Sequence, residues 1–280
     1  AGNATLTTPI LTAPSTYALV SVASMSVPVC TSTVSGNAVI SIQALPTATI
    51  AANTICSGQT GTLTFTGTPG ALVTFFDGTS NQTVTLDASG NATYTTGVLT
   101  ADATYSLVSA ATTVAPICSQ TQTGSATVVV TALPTATISG TTSICSGSTT
   151  TISFSGTAGA VVTYTINAGA NQTITLDASG NATLTTPALT ADTTYALVSV
   201  ALGSCSQNQT GSALVTILPL PTASISGTTT ICSGTTTTIS FSGTANATVT
   251  YTVDSGAPQT IVLDAAGNAS LTTSALTVDT

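Results

Sequence analysis

Residues 181–200 read NATLTTPALTADTTYALVSV. β-Branched residues dominate the stretch, and their stiff side chains suit a pleated strand. The segment Tyr195-Ala-Leu-Val-Ser-Val200 reads as a strand, and just upstream Asp177-Ala-Ser-Gly180-Asn181 places Gly and Asn where a hairpin needs positive φ. The block recurs. Residues 3–22 read NATLTTPILTAPSTYALVSV, residues 91–110 read NATYTTGVLTADATYSLVSA, and residues 268–280 begin it again. A second block, Leu-Pro-Thr-Ala, marks the same period, with Pro46, Pro134 and Pro221 lying 88 and 87 residues apart. A fixed period of this length denotes a tandem array of one folded unit. The expected divisions are 1–45 (the C-terminal half of a repeat), 46–133, 134–220, and 221–280 (the N-terminal part of a repeat). Both ends fall inside a repeat, which suits a window on a longer chain.

One full repeat divides into seven short strands, near 135–140, 149–155, 160–166, 171–177, 181–186, 193–201 and 210–217. Alternation is plain at Ile152 and Phe154, and again at Val162, Tyr164 and Ile166. Period two over short segments broken by turn residues is the pattern of antiparallel sheet. No stretch has helical periodicity. Seven such strands in about 87 residues predict an all-β chain, a tandem array of immunoglobulin-like or fibronectin III-like β-sandwich repeats. Leu189-Thr-Ala-Asp-Thr-Thr-Tyr195 resembles the tyrosine corner of those domains, as do residues 11–17 and 99–105. The resemblance implies that Tyr17, Tyr105 and Tyr195 hydrogen-bond back across the turn between the fifth and sixth strands. The alternative is that they are simply core aromatics.

Composition excludes much. The 280 residues contain no Lys, Arg or His, and their eight acidic residues are all Asp, giving a net charge of −8. Nucleic-acid binding rests on cations that neutralise phosphates, and attraction to anionic lipid needs the same groups. Neither is expected. Mean hydropathy is positive, but the apolar residues alternate with Thr and Ser. No uninterrupted apolar run approaches the roughly 18–20 residues that span a bilayer. Side-chain salt bridges are impossible, so stability must come from apolar burial, backbone ladders and cysteines. Pro lacks an N–H and stiffens its neighbours, so the Leu-Pro seams join successive units semi-rigidly, as in an extended rod.

The six cysteines, Cys30, Cys56, Cys118, Cys145, Cys205 and Cys232, come two per period. Cys56, Cys145 and Cys232 sit in Ile-Cys-Ser-Gly before the second strand of a repeat. Cys30, Cys118 and Cys205 lie between the sixth and seventh strands. An even, periodic set reads as disulfides in an oxidising compartment. Buried free thiols are the alternative. Zinc is disfavoured, because there is neither His nor a CxxC pair. Three registers are open. Pairing within a repeat joins Cys56 to Cys118 and Cys145 to Cys205, and closes each unit on itself. Pairing of sequence neighbours joins Cys30–Cys56, Cys118–Cys145 and Cys205–Cys232. Immunoglobulin topology puts the two cysteine positions at opposite ends of a sandwich, which troubles both schemes. It favours a third, Cys56 of one repeat with Cys205 of the next.

Catalytic constellations are missing. General acid–base work needs a proton carrier tuned near neutrality, and only Asp, Tyr and Cys remain. Asp254-Ser-Gly256 resembles the Asp-Ser/Thr-Gly of aspartic proteases, but it stands where a hairpin turn is expected. No enzyme activity and no cofactor is expected. Asp87, Asp177 and Asp264 are assigned to turns, and Asp102, Asp192 and Asp279 to the turn before the sixth strand. None shows the clustering that holds Ca²⁺, although a seam calcium is an alternative. N-x-Ser/Thr sequons occur at Asn3, Asn81, Asn91, Asn171, Asn181, Asn208, Asn246 and Asn268. Asp192-Thr-Thr194 resembles the Asp-Ser/Thr-x O-glycosylation pattern of Bacteroidota.

Taken together, Ile-Cys-Ser-Gly, the Tyr-x-Leu-Val-Ser strand ending near a Cys, and the Leu-Pro-Thr-Ala seams resemble the immunoglobulin-like tandem repeats of giant surface proteins of Bacteroidota. That family includes gliding-motility adhesins exported by the type IX system. The resemblance implies an extracellular, cell-surface location and a structural spacer or stalk within a long adhesin or filament. Its partners would be neighbouring repeats of the same chain and other copies in a filament. Many such repeats carry Lys, Arg and Glu, which this chain lacks. The alternatives are a module binding surface polysaccharide or ice through outward Thr rows, and a self-assembling lattice or pilus-like subunit.

Overall fold

The structure is a computed structural model that describes residues 2–277. The chain divides into two compact units, residues 1–133 and 134–280. In the first unit four short strands come first: β1 (Ser15–Ala18), β2 (Ser21–Ala23), β3 (Thr31–Thr33) and β4 (Asn37–Ile40). β1 pairs with β4, and β2 with β3, all antiparallel. A sandwich follows, built from β5 (Ala48–Ala52), β6 (Thr54–Cys56), β7 (Gln59–Gly67), β8 (Leu72–Phe76), β9 (Asn81–Thr85), β10 (Asn91–Leu99), β11 (Ala103–Ala111), β12 (Ser119–Thr121) and β13 (Ser125–Thr131). One sheet has the order β10-β7-β5, and the facing sheet the order β6-β13-β11-β8-β9, with β12 paired to β11.

The second unit repeats the plan with β14 (Ala136–Ser139), β15 (Thr142–Cys145), β16 (Thr151–Gly156), β17 (Val161–Ile166), β18 (Gln172–Thr175), β19 (Asn181–Thr185), β20 (Thr193–Leu202), β21 (Cys205–Asn208) and β22 (Ser212–Leu218). Its sheets are β14-β16-β19 and β15-β22-β20-β17-β18, with β21 on β20. Beyond them lie β23 (Ala223–Ser226), β24 (Thr238–Gly243), β25 (Thr248–Tyr251), β26 (Gln259–Val262) and β27 (Asn268–Thr272). They form a sheet β23-β24-β27 and a pair β25-β26. Among the described residues all the regular elements are strands, and the two-sheet arrangement is that of an immunoglobulin-like sandwich.

The cores follow from the alternation. In β16, Ile152 and Phe154 point inward and are 0% and 1% exposed, while Thr151 and Ser155 point out. They meet Val162, Tyr164, Leu176, Tyr195, Leu197, Val200 and Val215 from the facing sheet. The equivalent core in 46–133 gathers Leu63, Phe65, Val73, Phe75, Leu86, Tyr105 and Val128. An aromatic pair bridges the sheets at the same place each time: Phe65–Phe75 at 4.9 Å, Phe154–Tyr164 at 5.1 Å and Phe241–Tyr251 at 5.1 Å between centroids. Such offset aromatic pairs add about 1 kcal/mol beyond their buried area.

All seven strands expected in 134–220 are present within a few residues. Two features differ from expectation. The first strand is split: β14 pairs antiparallel with β16, then the chain crosses sheets and β15 runs parallel to β22. Gly140, at φ +124°, lies at this crossing. Cys145 therefore ends a strand and does not lie in a turn. In addition, the sixth strand folds back through β21, which pairs with its end.

Candidate functional site

The residues singled out by the sequence fall at the two ends of each sandwich. At one end lie Cys56 and Cys145. Cys56 is opposite Thr131 at the close of β13, and Cys145 is opposite Leu218 at the close of β22. At the other end lie Cys118, whose carbonyl accepts the Thr112 N–H, and Cys205, opposite Leu202. Within 134–220, Thr193 pairs with Val215 and Leu202 with Cys205. Cys145 and Cys205 are therefore about a dozen residue rises apart along the sheet, on the order of 40 Å. A disulfide needs Cα atoms within roughly 7 Å. The same register separates Cys56 from Cys118. This corrects the within-repeat pairing. Cys30, Cys118, Cys145 and Cys232 carry free thiols, which removes the neighbour scheme as well. Cys56 and Cys205 are disulfide-bonded.

The seams are anchored by residues the sequence did not flag. Gln122 donates from Nε2 to the Pro46 carbonyl at 3.1 Å, and its Oε1 accepts the Ala48 N–H at 3.2 Å. In the second unit Gln207 donates to the Pro134 carbonyl at 2.6 Å. The two glutamines are not equivalent positions. Each belongs to a Gln-x-Gln pair after the cysteine, and a different member is used in each unit. The only signal available was that recurring pair.

The turn aspartates do what their positions imply. Asp177 Oδ1 accepts the N–H groups of Ser179 and Asn181 at 2.8 and 2.9 Å, and Asp87 and Asp264 repeat the arrangement. Asp102 and Asp192 accept the N–H of Val130 and Ile217 at 2.7 Å each, tying the turn before the sixth strand to the seventh. Asp279 lies outside the described residues. Asp77 accepts the Ser80 N–H and the Thr79 hydroxyl and N–H, and these bonds hold its carboxyl well below the usual carboxylate range. Asp254 and Ser255 adopt φ +49° and +58° in the β25–β26 turn. Among the described residues no cluster of His, Cys, Asp or Glu comes together to hold a metal ion. Among the described residues no helix is long and apolar enough to cross a membrane.

Two further readings change. Tyr105 and Tyr195 are buried, and Tyr17 is 36% exposed. Among the described residues, the Tyr195 hydroxyl makes no hydrogen bond across the turn. Its ring packs in the core, burial pushes its pKa up, and Asp192 supplies the tie that the corner would have made. Thr193, the acceptor of the Asp-Thr-Thr pattern, is 6% exposed and donates its hydroxyl to the Ala191 carbonyl. A glycan has no room there in the folded chain.

An outward hydroxyl face recurs. Thr64 and Thr66 alternate with core Leu63 and Phe65, and lie opposite Thr93 and Asn91. Thr49 and Thr66 hydroxyls meet at 2.6 Å, Thr137 and Ser155 at 2.8 Å, and Ser224 and Ser242 at 2.8 Å.

The class defined by this architecture is the immunoglobulin-like β-sandwich. No protein-family model and no curated protein matches the chain. Among solved structures it is similar to a 1.5-MDa bacterial ice-binding adhesin, at 17% identity and a TM-score of 0.37, covering 84% of this chain and 88% of that one. It is also similar to a marsupial T cell receptor, at 11% identity and a TM-score of 0.40, covering 83% of this chain and 100% of that one. A third is a set of fibronectin(III)-like modules of Clostridium thermocellum CbhA, at 12% identity and a TM-score of 0.32, covering 62% and 95%. Likeness at this level carries no argument about what this chain binds.

Proposed function

We propose that the chain is a spacer segment of a long, repetitive extracellular adhesin or surface filament, contributing length and not chemistry. The observation that carries this reading is the seam. Four residues separate each sandwich from the preceding strand: β13 ends at Thr131 and β14 begins at Ala136, with the same gap between Leu218 and Ala223. The start of each full sandwich is held to its own body by Gln122 or Gln207. The same four-residue seam and a glutamine tie at the start of each full sandwich recur, as repeated units of one length would have them. Disulfide-bonded cysteines belong to an oxidising compartment, in keeping with an extracellular location. The motifs shared with Bacteroidota surface repeats support type IX export and a role in gliding or attachment. Electron microscopy of the native cell surface tests the proposal. A beaded fibre is expected, and a two-dimensional array would sink it.

The outward hydroxyl face favours a second reading, a module that binds surface polysaccharide along the β5–β7–β10 sheet. Glycan binding by the full chain that Thr64→Ala and Thr93→Ala weaken together would support it. Binding indifferent to both substitutions would refute it.

A further inference from the structure

In each full sandwich a strand near the start and the last strand lie side by side and run the same way. β15 pairs in parallel with β22, from Thr142 opposite Val215 to Cys145 opposite Leu218, and the Ser146 N–H closes the ladder on the Leu218 carbonyl at 2.9 Å. In residues 46–133 the same patch joins β6 to β13. Thr54 lies opposite Val129 and Cys56 opposite Thr131, and the Ser57 N–H donates to the Thr131 carbonyl at 2.8 Å. The last strand is held from its other side as well. The Ile217 N–H donates to Asp192 and the Val130 N–H to Asp102, at 2.7 Å each. Just before them, Val215 pairs with Thr193 and Val128 with Ala103.

Direction decides what this patch does under tension. A pull on the two ends of a sandwich draws β15 toward its own N-terminus and β22 toward its own C-terminus. The strands are parallel, so the two pulls oppose each other along one axis. The ladder is sheared, and its hydrogen bonds share the load and fail together. An antiparallel hairpin such as β17–β18, pulled by its two free ends, opens one pair at a time. β14 precedes the ladder and lies in the other sheet, against β16. Tension can strip it away and still leave β15 on β22. Load then passes from an early strand to the last one without crossing the apolar core, which stays closed until the ladder goes.

We propose that the β15–β22 and β6–β13 ladders are force-bearing clamps that keep each full sandwich closed when the chain is pulled lengthwise. Asp192 and Asp102 are the second half of each clamp, because they fix the last strand to the turn before the sixth and stop it sliding. The proposal rests on the spacer reading for the source of the pull, since a spacer is loaded by its neighbours on either side. The two fail separately: a two-dimensional array on the cell surface would sink the spacer and leave the strength of the ladders untouched.

The test is end-to-end stretching of single molecules of the full chain, with reductant present so that no disulfide carries load. Two abrupt rupture events are expected, one per clamp, each lengthening the chain by up to about 30 nm, the reach of one repeat. Alternation back from the Ser146 N–H turns the Thr142 N–H toward β22 and the Ser143 N–H away from it. Thr142→Pro removes a donor from one clamp, so one event should drop to lower force or vanish, while the event from 46–133 stays. Ser143→Pro is the control, on an edge strand with its N–H outward, and should leave both events in place. Ile174→Ala trims a half-buried side chain of β18, outside the load path. Its contacts are still intact when the ladder breaks, so it should lower the melting temperature without weakening either event. Where Thr142→Pro does not fold, Asp192→Ala carries the test and should lower the same event. Rupture forces unmoved by Thr142→Pro and Asp192→Ala overturn the proposal. So does a fall with Ile174→Ala as large as theirs, which would show that overall stability and not the ladder resists the pull. A wild-type chain that extends smoothly, without rupture events, overturns it whether or not any variant folds.

Discussion

At the residue scale, one tight constraint is a glycine with both a left-handed φ and a backbone atom in the way of a side chain. Gly180 closes the Asp177–Asn181 turn at φ +77°, and a Cβ there would stand 2.2 Å from the Gly156 carbonyl oxygen. Left-handed φ disfavours any side chain, and the opposing atom is backbone that cannot rotate away. Gly180→Ala should destabilise its sandwich by about 2–4 kcal/mol, read as a lower thermal midpoint in calorimetry. The turn was legible because Asp, Gly and Asn each have a separate reason to be there. The carbonyl contact was not, because it depends on the end of a strand two dozen residues away. Tyrosine ionisation gives a second prediction. Burial raises the pKa of Tyr105, Tyr164 and Tyr195 above 10.0. The folded state therefore holds these protons more tightly than the unfolded chain. The stabilisation is complete below about pH 10 and is lost as pH climbs through the folded values. Melting temperatures should fall as pH rises above about 10, and Tyr195→Phe should blunt the fall. An equal drop in the variant would remove Tyr195 from the explanation.

At the element scale, strand identity followed from alternation, while strand partnership did not. Ile152 and Phe154 announce an inward face in any sheet, so β16 was readable locally. The split of β14 from β15 was not, because it turns on which neighbour each half finds across the sandwich. In sequence, Ile-Cys-Ser-Gly marks only the approach to the second strand of a repeat. In the fold, Thr142–Cys145 gains a parallel ladder with β22 that no local signal reports. The glutamine anchors were hidden for a related reason. Gln207 lies 73 residues from Pro134, and nothing nearby marks it as a seam residue. Gln207→Ala should cost about 1 kcal/mol. The loss should be local: hydrogen exchange should quicken in β14 while β17 and β20 keep their protection. Uniform quickening would mean that the glutamine supports the whole sandwich and not its start.

At the scale of the whole molecule, a chain without a single cation or ion pair depends on apolar burial, backbone ladders and cysteine chemistry. The cysteine count and period were legible, and so was the difficulty that immunoglobulin topology raises for pairing within a repeat. What fixed the point was distance. β20 runs ten residues from Thr193 to Leu202, so cysteines beyond its two ends stand on the order of 40 Å apart. No side-chain adjustment closes such a gap, because the S–S linkage tolerates only a few ångströms of Cα variation. A sharp chemical expectation follows. A thiol-alkylating reagent applied to the folded, unreduced chain should modify Cys30, Cys118, Cys145 and Cys232. Cys56 and Cys205 should stay unmodified until a reductant is added. Mass mapping should use a protease that does not depend on Lys or Arg, since the chain offers neither. Peptides joining Cys56 to Cys118, or Cys145 to Cys205, should be missing from the unreduced digest. Recovery of either would require the two ends of one sandwich to meet, and the strand register described above would then be wrong. Reduction should also lower stability by about 2–4 kcal/mol, the usual contribution of a structural disulfide. An unchanged melting temperature after full reduction would refute that contribution.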